Sequence, residues 1–161
     1  MKMSFFIISD GITFKAFGTA QDHKRVAEGD EGKNTGGMGA YSPSRLENDK
    51  LNKKIMKKII IPTIEGLKDL DAKFKGFLYA GLMIIEDEPF LIEYNVRMGD
   101  PETEVVFPRI KNDLLDLFSS MGSTEFEDIK LRIDDRHAAT IIMVSGGYPL
   151  NYEKNKINTT C

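Results

Sequence analysis

Residues 77–103 read Phe-Leu-Tyr-Ala-Gly-Leu-Met-Ile-Ile-Glu-Asp-Glu-Pro-Phe-Leu-Ile-Glu-Tyr-Asn-Val-Arg-Met-Gly-Asp-Pro-Glu-Thr. Aromatic and β-branched residues fill Phe77 to Ile85 and Phe90 to Tyr94, and the polar run Glu86-Asp87-Glu88-Pro89 separates them, so the stretch predicts two strands joined by a turn. Side chains on a strand alternate between faces, which puts Glu93 and Asn95 on one side, with Arg97 continuing the alternation. A carboxylate and an amide oxygen side by side suit a hard divalent cation, which takes few protein oxygens and completes its shell from phosphates and water. A guanidinium next in line suits phosphate oxygens whose charge grows in a transition state. The plainer alternative is a polar edge strand running into the turn at Asn95 to Thr103. The residues alone leave both open.

Working outward, Ser4 to Ser9 is β-rich, Asp10-Gly11 signals a hairpin turn, and Ile12 to Phe17 alternates apolar with polar. Thr19 to Pro43 carries Gly29, Gly32, Gly36, Gly37 and Gly39 among charges with almost no periodicity, and reads as one long loop. From Glu47 to Leu70 the residues Leu51, Ile55, Ile59, Ile60, Ile64 and Leu67 form a helical stripe with lysines opposite. Asn48 or Ser44 is the expected cap, and Pro62 is expected to break or kink the helix near Ile61. Glu104 to Ile110 and Asp113 to Met121 predict two shorter helices. Lys130 to Ile133 and Ala138 to Ser145 predict strands, ending at Gly146-Gly147-Tyr148-Pro149. Hairpins interleaved with helices indicate an α+β fold, an antiparallel sheet covered by helices on one face. A composition shift over Ser119 to Asp128 divides the chain into residues 1–125 and a small β-rich unit beginning at 126–161.

Composition narrows the function. With 161 residues and 41% hydrophobic content the chain can build one core plus an appendage. A net charge of −3 with a pI near 5.5 argues against nucleic-acid binding, which needs a basic footprint. No apolar run approaches the roughly 20 residues that span a bilayer. Cys161 is the only cysteine, so no internal disulfide is available, consistent with a reducing cytosol.

A second segment carries chemistry. Gln21-Asp22-His23-Lys24-Arg25 precedes Asn34-Thr35-Gly36-Gly37-Met38-Gly39-Ala40-Tyr41. Gly36, Gly37 and Gly39 let backbone N–H groups approach a ligand closely, and His23, Lys24 and Arg25 add donors and charge suited to phosphate. The spacing fits neither a P-loop nor a dinucleotide fingerprint. A flexible surface loop with a solvated charge run is the alternative.

The strand pair ending in Glu-x-Asn-x-Arg resembles the metal and phosphate strand of ATP-grasp ligases. The words Gln21 to Arg25, Asn34 to Pro43, Leu78 to Met83 and Gly99 to Thr103 resemble phosphoribosylamine–glycine ligases in particular. Val144 to Pro149 is similar to the start of that family's C-terminal domain. The match runs in family order across nearly all of residues 4 to 150.

This resemblance implies the second half of an ATP-grasp domain and a reaction of purine biosynthesis in the cytoplasm. ATP phosphorylates the glycine carboxylate, and the amine of 5-phosphoribosylamine displaces phosphate to give glycinamide ribonucleotide. It further implies Glu93 and Asn95 as ligands of Mg²⁺ or Mn²⁺ and Arg97 as the catalytic, phosphate-facing arginine. Asp22, His23, Lys24, Arg25, Asn34, Thr35, Gly36, Gly37 and Gly39 would line the substrate side, with Asp100 and Glu102 holding substrate amines. Many ATP-grasp enzymes carry another acidic ligand on the preceding strand, but Gly81-Leu82-Met83-Ile84 offers none. The family's nucleotide-gripping lysines precede the segment that begins here, so the expectation is a fragment inactive alone, complemented by an amino-terminal half and prone to self-association. The rival expectation is a stranded, non-catalytic fragment that folds and weakly binds small anions. A carboxylase-type ATP-grasp subunit is disfavoured by Gln21 to Arg25 and Gly99 to Thr103.

Overall fold

The fold is built on β1 (Lys2–Asp10), eight of whose nine residues are buried. The structure, a computed structural model, describes residues 1–155 and Ile157. Cys161 lies outside those residues. β1 pairs antiparallel with β2 (Phe14–Asp22) on one side and with β6 (Lys75–Ile85) on the other. The first turn closes because Asp10 Oδ1 accepts the N–H groups of Ile12 and Thr13 at 2.8 and 2.7 Å. β6 returns as β7 (Glu88–Asn95) through Glu86 and Asp87, both with positive φ, the twist a two-residue hairpin turn needs. With β5 (Gly39–Ser42) and β8 (Ala138–Ile141) the main sheet has six strands in the order β7-β6-β1-β2-β5-β8.

Because β1 is buried on both sides, its alternation feeds two apolar clusters. Met3, Phe5 and Ile7 meet Leu51, Ile55, Ile60 and Ile64 of a helical rod. The rod runs as α1 (Asp49–Ile55), a π turn (Met56–Ile60) and α2 (Ile61–Asp69). Asn48, not Ser44, is its cap, with Oδ1 accepting the Leu51 N–H at 2.9 Å. The apolar stripe faces the sheet and Lys50, Lys57 and Lys58 face outward, as the periodicity requires. The rod does not break at Pro62, but its α-helical ladder is interrupted just before it, by the π turn that ends at Ile60. The Ile61 N–H reaches back to Met56 O, and this wider turn accommodates both the missing Pro62 N–H and its ring.

Helical cover on a single face needs correction. Phe6, Ile8 and Phe17 on the opposite face pack against Val105, Val106, Leu117 and Phe126. These sit on or beside α3 (Thr103–Val106), α4 (Leu114–Ser119) and α5 (Glu125–Asp128), elements too short to show a stripe.

Three further readings change. Residues 19–43 are not one loop, since β2 runs on to Asp22, β3 (Arg25–Ala27) and β4 (Glu31–Asn34) form a small hairpin, and β5 joins the main sheet. Lys130 to Ile133 forms no strand, only an isolated bridge from Ile133 to Ile110. The strand at Ala138 stops at Ile141 and pairs with β5. Buried Arg109 anchors the approach to it, donating to the carbonyls of Arg136 and Asp134 and to Ser42 Oγ at 2.9–3.0 Å. Among the described residues no helix is long and apolar enough to cross a membrane.

The rod is also tied to the β6–β7 turn. Lys54 and Lys58 both reach the Glu88 carboxylate, and their hydrogen bonds pull its pKa from 4.5 down to about 2. A carboxyl with a depressed folded pKa adds stability above its unfolded value and loses it as pH falls toward the folded one. Here the contribution is small because the group is exposed. An NMR titration of the Glu88 side chain should show a midpoint near 2, returning toward 4.5 in Lys54→Met/Lys58→Met. An unchanged midpoint in that variant would remove the lysines as its cause.

Candidate active site

The polar end of β7 opens into a cleft of about 730 Å³. Glu93 sits opposite Gly81 and Asn95 opposite Tyr79 in the β6–β7 register. That register slips by one between Gly81 and Leu82, leaving Ile92 as the extra residue. The slip lets Leu91 and Tyr94 both turn toward the rod while Glu93 and Asn95 face the cleft, a re-aiming that β-bulges often perform beside functional sites. Among the described residues, the side chains of Glu93 and Asn95 make no hydrogen bond or ion pair within the chain, so both are free to bind. Gly81 keeps the floor flat, since a Cβ there would stand 3.2 Å from Glu93 Cγ.

Beyond β7 the chain turns through Arg97, Met98, Gly99, Asp100 and Glu102, all lining the cleft. Arg97 Nη1 donates to Met98 O at 3.0 Å, which bends an otherwise exposed guanidinium along the rim. Lys24, Gly36 and Gly37 form the facing wall. The two walls touch closely: a Cβ on Gly37, whose φ is +143°, would stand 2.3 Å from Pro101 Cδ. Thr35 shapes this turn, donating to Lys24 O at 2.9 Å and accepting the Gly37 N–H at 3.1 Å.

Below the walls lies a buried polar cluster. Glu102 Oε1 accepts from Ser4 Oγ at 3.0 Å, and Tyr79 Oη lies within hydrogen-bonding distance of the same hydroxyl at 3.3 Å. Asp22 pairs with Lys24 at 3.2 Å, yet neither Asp22 oxygen receives a hydrogen bond of acceptable geometry. Burial, and then the neighbouring Glu102 charge, push the Asp22 carboxyl above its ordinary value despite Lys24. Burial works to lower Lys24, but the attraction of Asp22 outweighs it and the net shift is upward. Burial also raises the Tyr79 phenol.

The structure therefore gathers Glu93, Asn95, Arg97, Asp100, Glu102, Lys24, Gly36 and Gly37 in one cleft, with Asp22 directly behind. It does not bring the others in. His23 lies against the Tyr41 ring, and Arg25 Nη1 donates to Gly32 O inside the small hairpin. Asn34 pairs with Arg25 there, and Gly39 packs under β8, where a Cβ would stand 2.7 Å from Thr140 O. Sequence reasoning missed Ser4, Tyr79, Ile142 and Tyr148. For Tyr79 a signal existed: it alternates with Gly81 on β6, next to the strand bearing Glu93 and Asn95.

Among the described residues no group of three His, Cys, Asp or Glu is placed to hold a metal ion. One free carboxylate and one free amide facing a cleft still fit a divalent cation that draws its other ligands from a phosphate-bearing substrate.

Helical layers on both faces of an antiparallel sheet, with a polar strand end opening into a cleft, make a fold that solved structures share. The L-amino acid ligase of Bacillus licheniformis shares this fold at a TM-score of 0.61 with 15% identity, covering 91% of this chain and 34% of that one. Residues 1–103 match the family model "Phosphoribosylglycinamide synthetase, ATP-grasp (A) domain", and the chain belongs to that family. It is 47% identical to the phosphoribosylamine–glycine ligase of Mesorhizobium japonicum over 154 residues, 96% of this chain and 36% of the relative. The crystal structure of phosphoribosylamine–glycine ligase from Thermotoga maritima aligns with a TM-score of 0.77 and 32% identity, covering 95% of this chain and 38% of that one. The chain thus spans little more than a third of the length of these relatives.

Proposed function

We propose that this chain supplies the metal- and phosphate-facing part of a cytoplasmic phosphoribosylamine–glycine ligase of purine biosynthesis. The observation that carries the reading is the convergence of Glu93, Asn95 and Arg97 with Lys24 and Gly37 across one cleft. In the proposed reaction a glycine carboxylate oxygen attacks the γ-phosphorus of ATP and ADP leaves. The amine of 5-phosphoribosylamine then attacks the acyl carbon, and phosphate leaves with the C–O bonding pair.

Glu93 and Asn95 would hold Mg²⁺ or Mn²⁺, which when bound neutralises phosphate charge. Arg97 orients and stabilises the transferring phosphoryl oxygens, and Lys24 with the Gly36–Gly37 backbone receives substrate anions. Residues 126–161 are proposed to begin a further β-rich unit after an ATP-grasp part at 1–125, although β8 itself pairs with β5 in the main sheet. Exposed Phe90, Ile92 and Val96 on and beside β7 support association with further protein surface, either the remainder of such a ligase or a second copy.

The test is ATP-dependent glycinamide ribonucleotide formation by the chain alone and with the rest of the Mesorhizobium japonicum relative supplied as a separate polypeptide. Phosphoryl transfer depends on positioning from all sides, so the expected result is negligible turnover alone and clear turnover together. Full activity of the chain alone would overturn the need for a complement. A well-folded mixture without activity would overturn the ligase reading.

A further inference from the structure

We infer that Arg109 is a positioning residue that fixes the two walls of the cleft relative to each other, from behind and without touching a substrate. What the walls do for a reaction rests on the ligase reading above, and only the kinetic part of the test depends on it.

Each wall runs directly into an element that Arg109 joins. The Gly99–Glu102 wall continues through α3 into the 3₁₀ turn Phe107–Arg109. The facing wall, Gly36 and Gly37, continues through Met38 into β5, which ends at Ser42. At their near ends the walls already meet, at Gly37 and Pro101. Arg109 Nη1 donates to Ser42 Oγ at 2.9 Å and ties the far ends, which removes rotation about that near contact. Both far ends are seated on β2. The Ser42 hydroxyl donates to Thr19 O at 2.6 Å, and Phe107 meets the Phe17 ring edge-on at 5.3 Å.

The other two donors of the guanidinium reach a third piece of chain. Nε and Nη2 donate to the carbonyls of Arg136 and Asp134 at 2.9 and 3.0 Å, just before β8. β8 lies on β5, and Thr140 Oγ1 donates to Glu104 Oε2 of α3 at 2.6 Å. One residue beyond β8, the Ile142 N–H donates to Met38 O at 3.0 Å, and Ile142 itself lines the cleft. The grip on residues 134–136 is thereby passed along β8 to the base of the Gly36–Gly37 wall.

The residue type suits a brace better than a filler. Arg109 is only 9% exposed, and its partners are two carbonyls and a hydroxyl. Among the described residues no carboxylate pairs with it, since the Asp134 carboxylate is taken by Lys111 and Arg136. Burying a cation against neutral oxygens is costly, and an apolar side chain would fill the space without that cost. A guanidinium supplies what such a filler lacks, a rigid planar fork with donors in fixed directions. A lysine ammonium keeps the charge but places it as a point on a flexible stem.

Arg109→Lys is therefore the variant, with Ser42→Ala, which removes the acceptor joining the two arms, as the second. Amide hydrogen exchange on the isotope-labelled chain reads the walls and the rest of the fold separately. The Ile142 amide should exchange at least about tenfold faster in Arg109→Lys, while exchange along β1 changes by no more than about twofold. The amides of Gly36, Gly37 and Gly99 should shift in the same spectra. Acceleration by one common factor at Ile142 and along β1 would make Arg109 a general stabiliser and overturn the inference. An unchanged Ile142 amide would do the same. If Arg109→Lys fails to fold, these readings in Ser42→Ala decide. In the complemented ligase, Arg109→Lys should raise KM for glycine and 5-phosphoribosylamine by about tenfold or more, since small misplacements of binding groups are that costly. KM for ATP, served by Glu93 and Asn95 from β7, should stay within about twofold of the wild type. A fall in kcat with every KM unchanged would record lost folded enzyme and count against positioning. Exchange requires no turnover, so failure of the ligase reading and failure of the brace are separate results.

Discussion

Glu93→Ala is expected to lower glycinamide ribonucleotide formation by the complemented ligase about a hundred- to a thousandfold, the scale seen when one preorganised electrostatic group is lost. Glu93 is the one carboxylate on the cleft face of β7, and the facing stretch of β6, Gly81 to Ile84, contributes none. Asn95 alone would then face the cation with an uncharged oxygen. The side chain is exposed and makes no hydrogen bond or ion pair, so the substitution should shift folding stability by no more than about 0.5 kcal/mol. Steady-state rates at several Mg²⁺ concentrations, alongside urea unfolding, separate the two effects. Wild-type turnover in a folded Glu93→Ala protein would remove the metal assignment, and Asn95 and Arg97 would have to be reconsidered with it.

Gly37→Ala should be strongly damaging, costing about 2–4 kcal/mol of stability. Two penalties add. The φ of +143° is one that L-residues rarely adopt, and the new Cβ would sit 2.3 Å from Pro101 Cδ and 3.2 Å from Asp100 O. Relief requires the Asn34–Gly39 wall and the Gly99–Glu102 wall to part, so the damage falls on the cleft as well as the fold. For a chain of this size each kcal/mol is worth about 2–4 °C in Tm, and calorimetry should register a fall of roughly 5–15 °C. Gly36→Ala is the internal control, because nothing lies within 4 Å of its Cβ position. Equal tolerance of both substitutions would mean that the walls do not meet as described.

The parts of this fold that were legible share a long period. The stripe from Leu51 to Ile64 and the strands at Ser4, Phe77 and Phe90 run for enough residues to declare their geometry. What stayed hidden is short or defined by distant partners. β3, β4 and β5 have three or four residues each, and β4 and β5 carry glycines, so their strand character comes from pairing and not from pattern. The second helical layer consists of turns of four to six residues, whose apolar members read as isolated positions. The form of the irregularity at Pro62 stays hidden because local chemistry cannot reveal the π turn before it.

For the site, Glu93, Asn95 and Arg97 followed from strand alternation, and the Gly99–Glu102 wall from the resemblance. The partition of the Gln21–Tyr41 segment did not. Lys24 and Gly37 reach the cleft while Arg25 and Asn34 close a hairpin, a distinction made by the fold and not by residue type. Likewise no pattern in the sequence announces that Ile92 is an extra residue.

That extra residue has a consequence for the chain's behaviour in concentrated solution. β7 is the outermost strand of the sheet, so its outward N–H and C=O groups are available to template another strand, and Phe90 and Ile92 add apolar surface beside them. Runaway stacking of such edges into filaments needs a straight, uninterrupted row of donors and acceptors. Pro89 removes one donor near the start of the row, and the kink at Ile92 throws the remainder out of step. The irregularity that turns Glu93 toward the cleft thus also acts as a guard against polymerisation along the same strand.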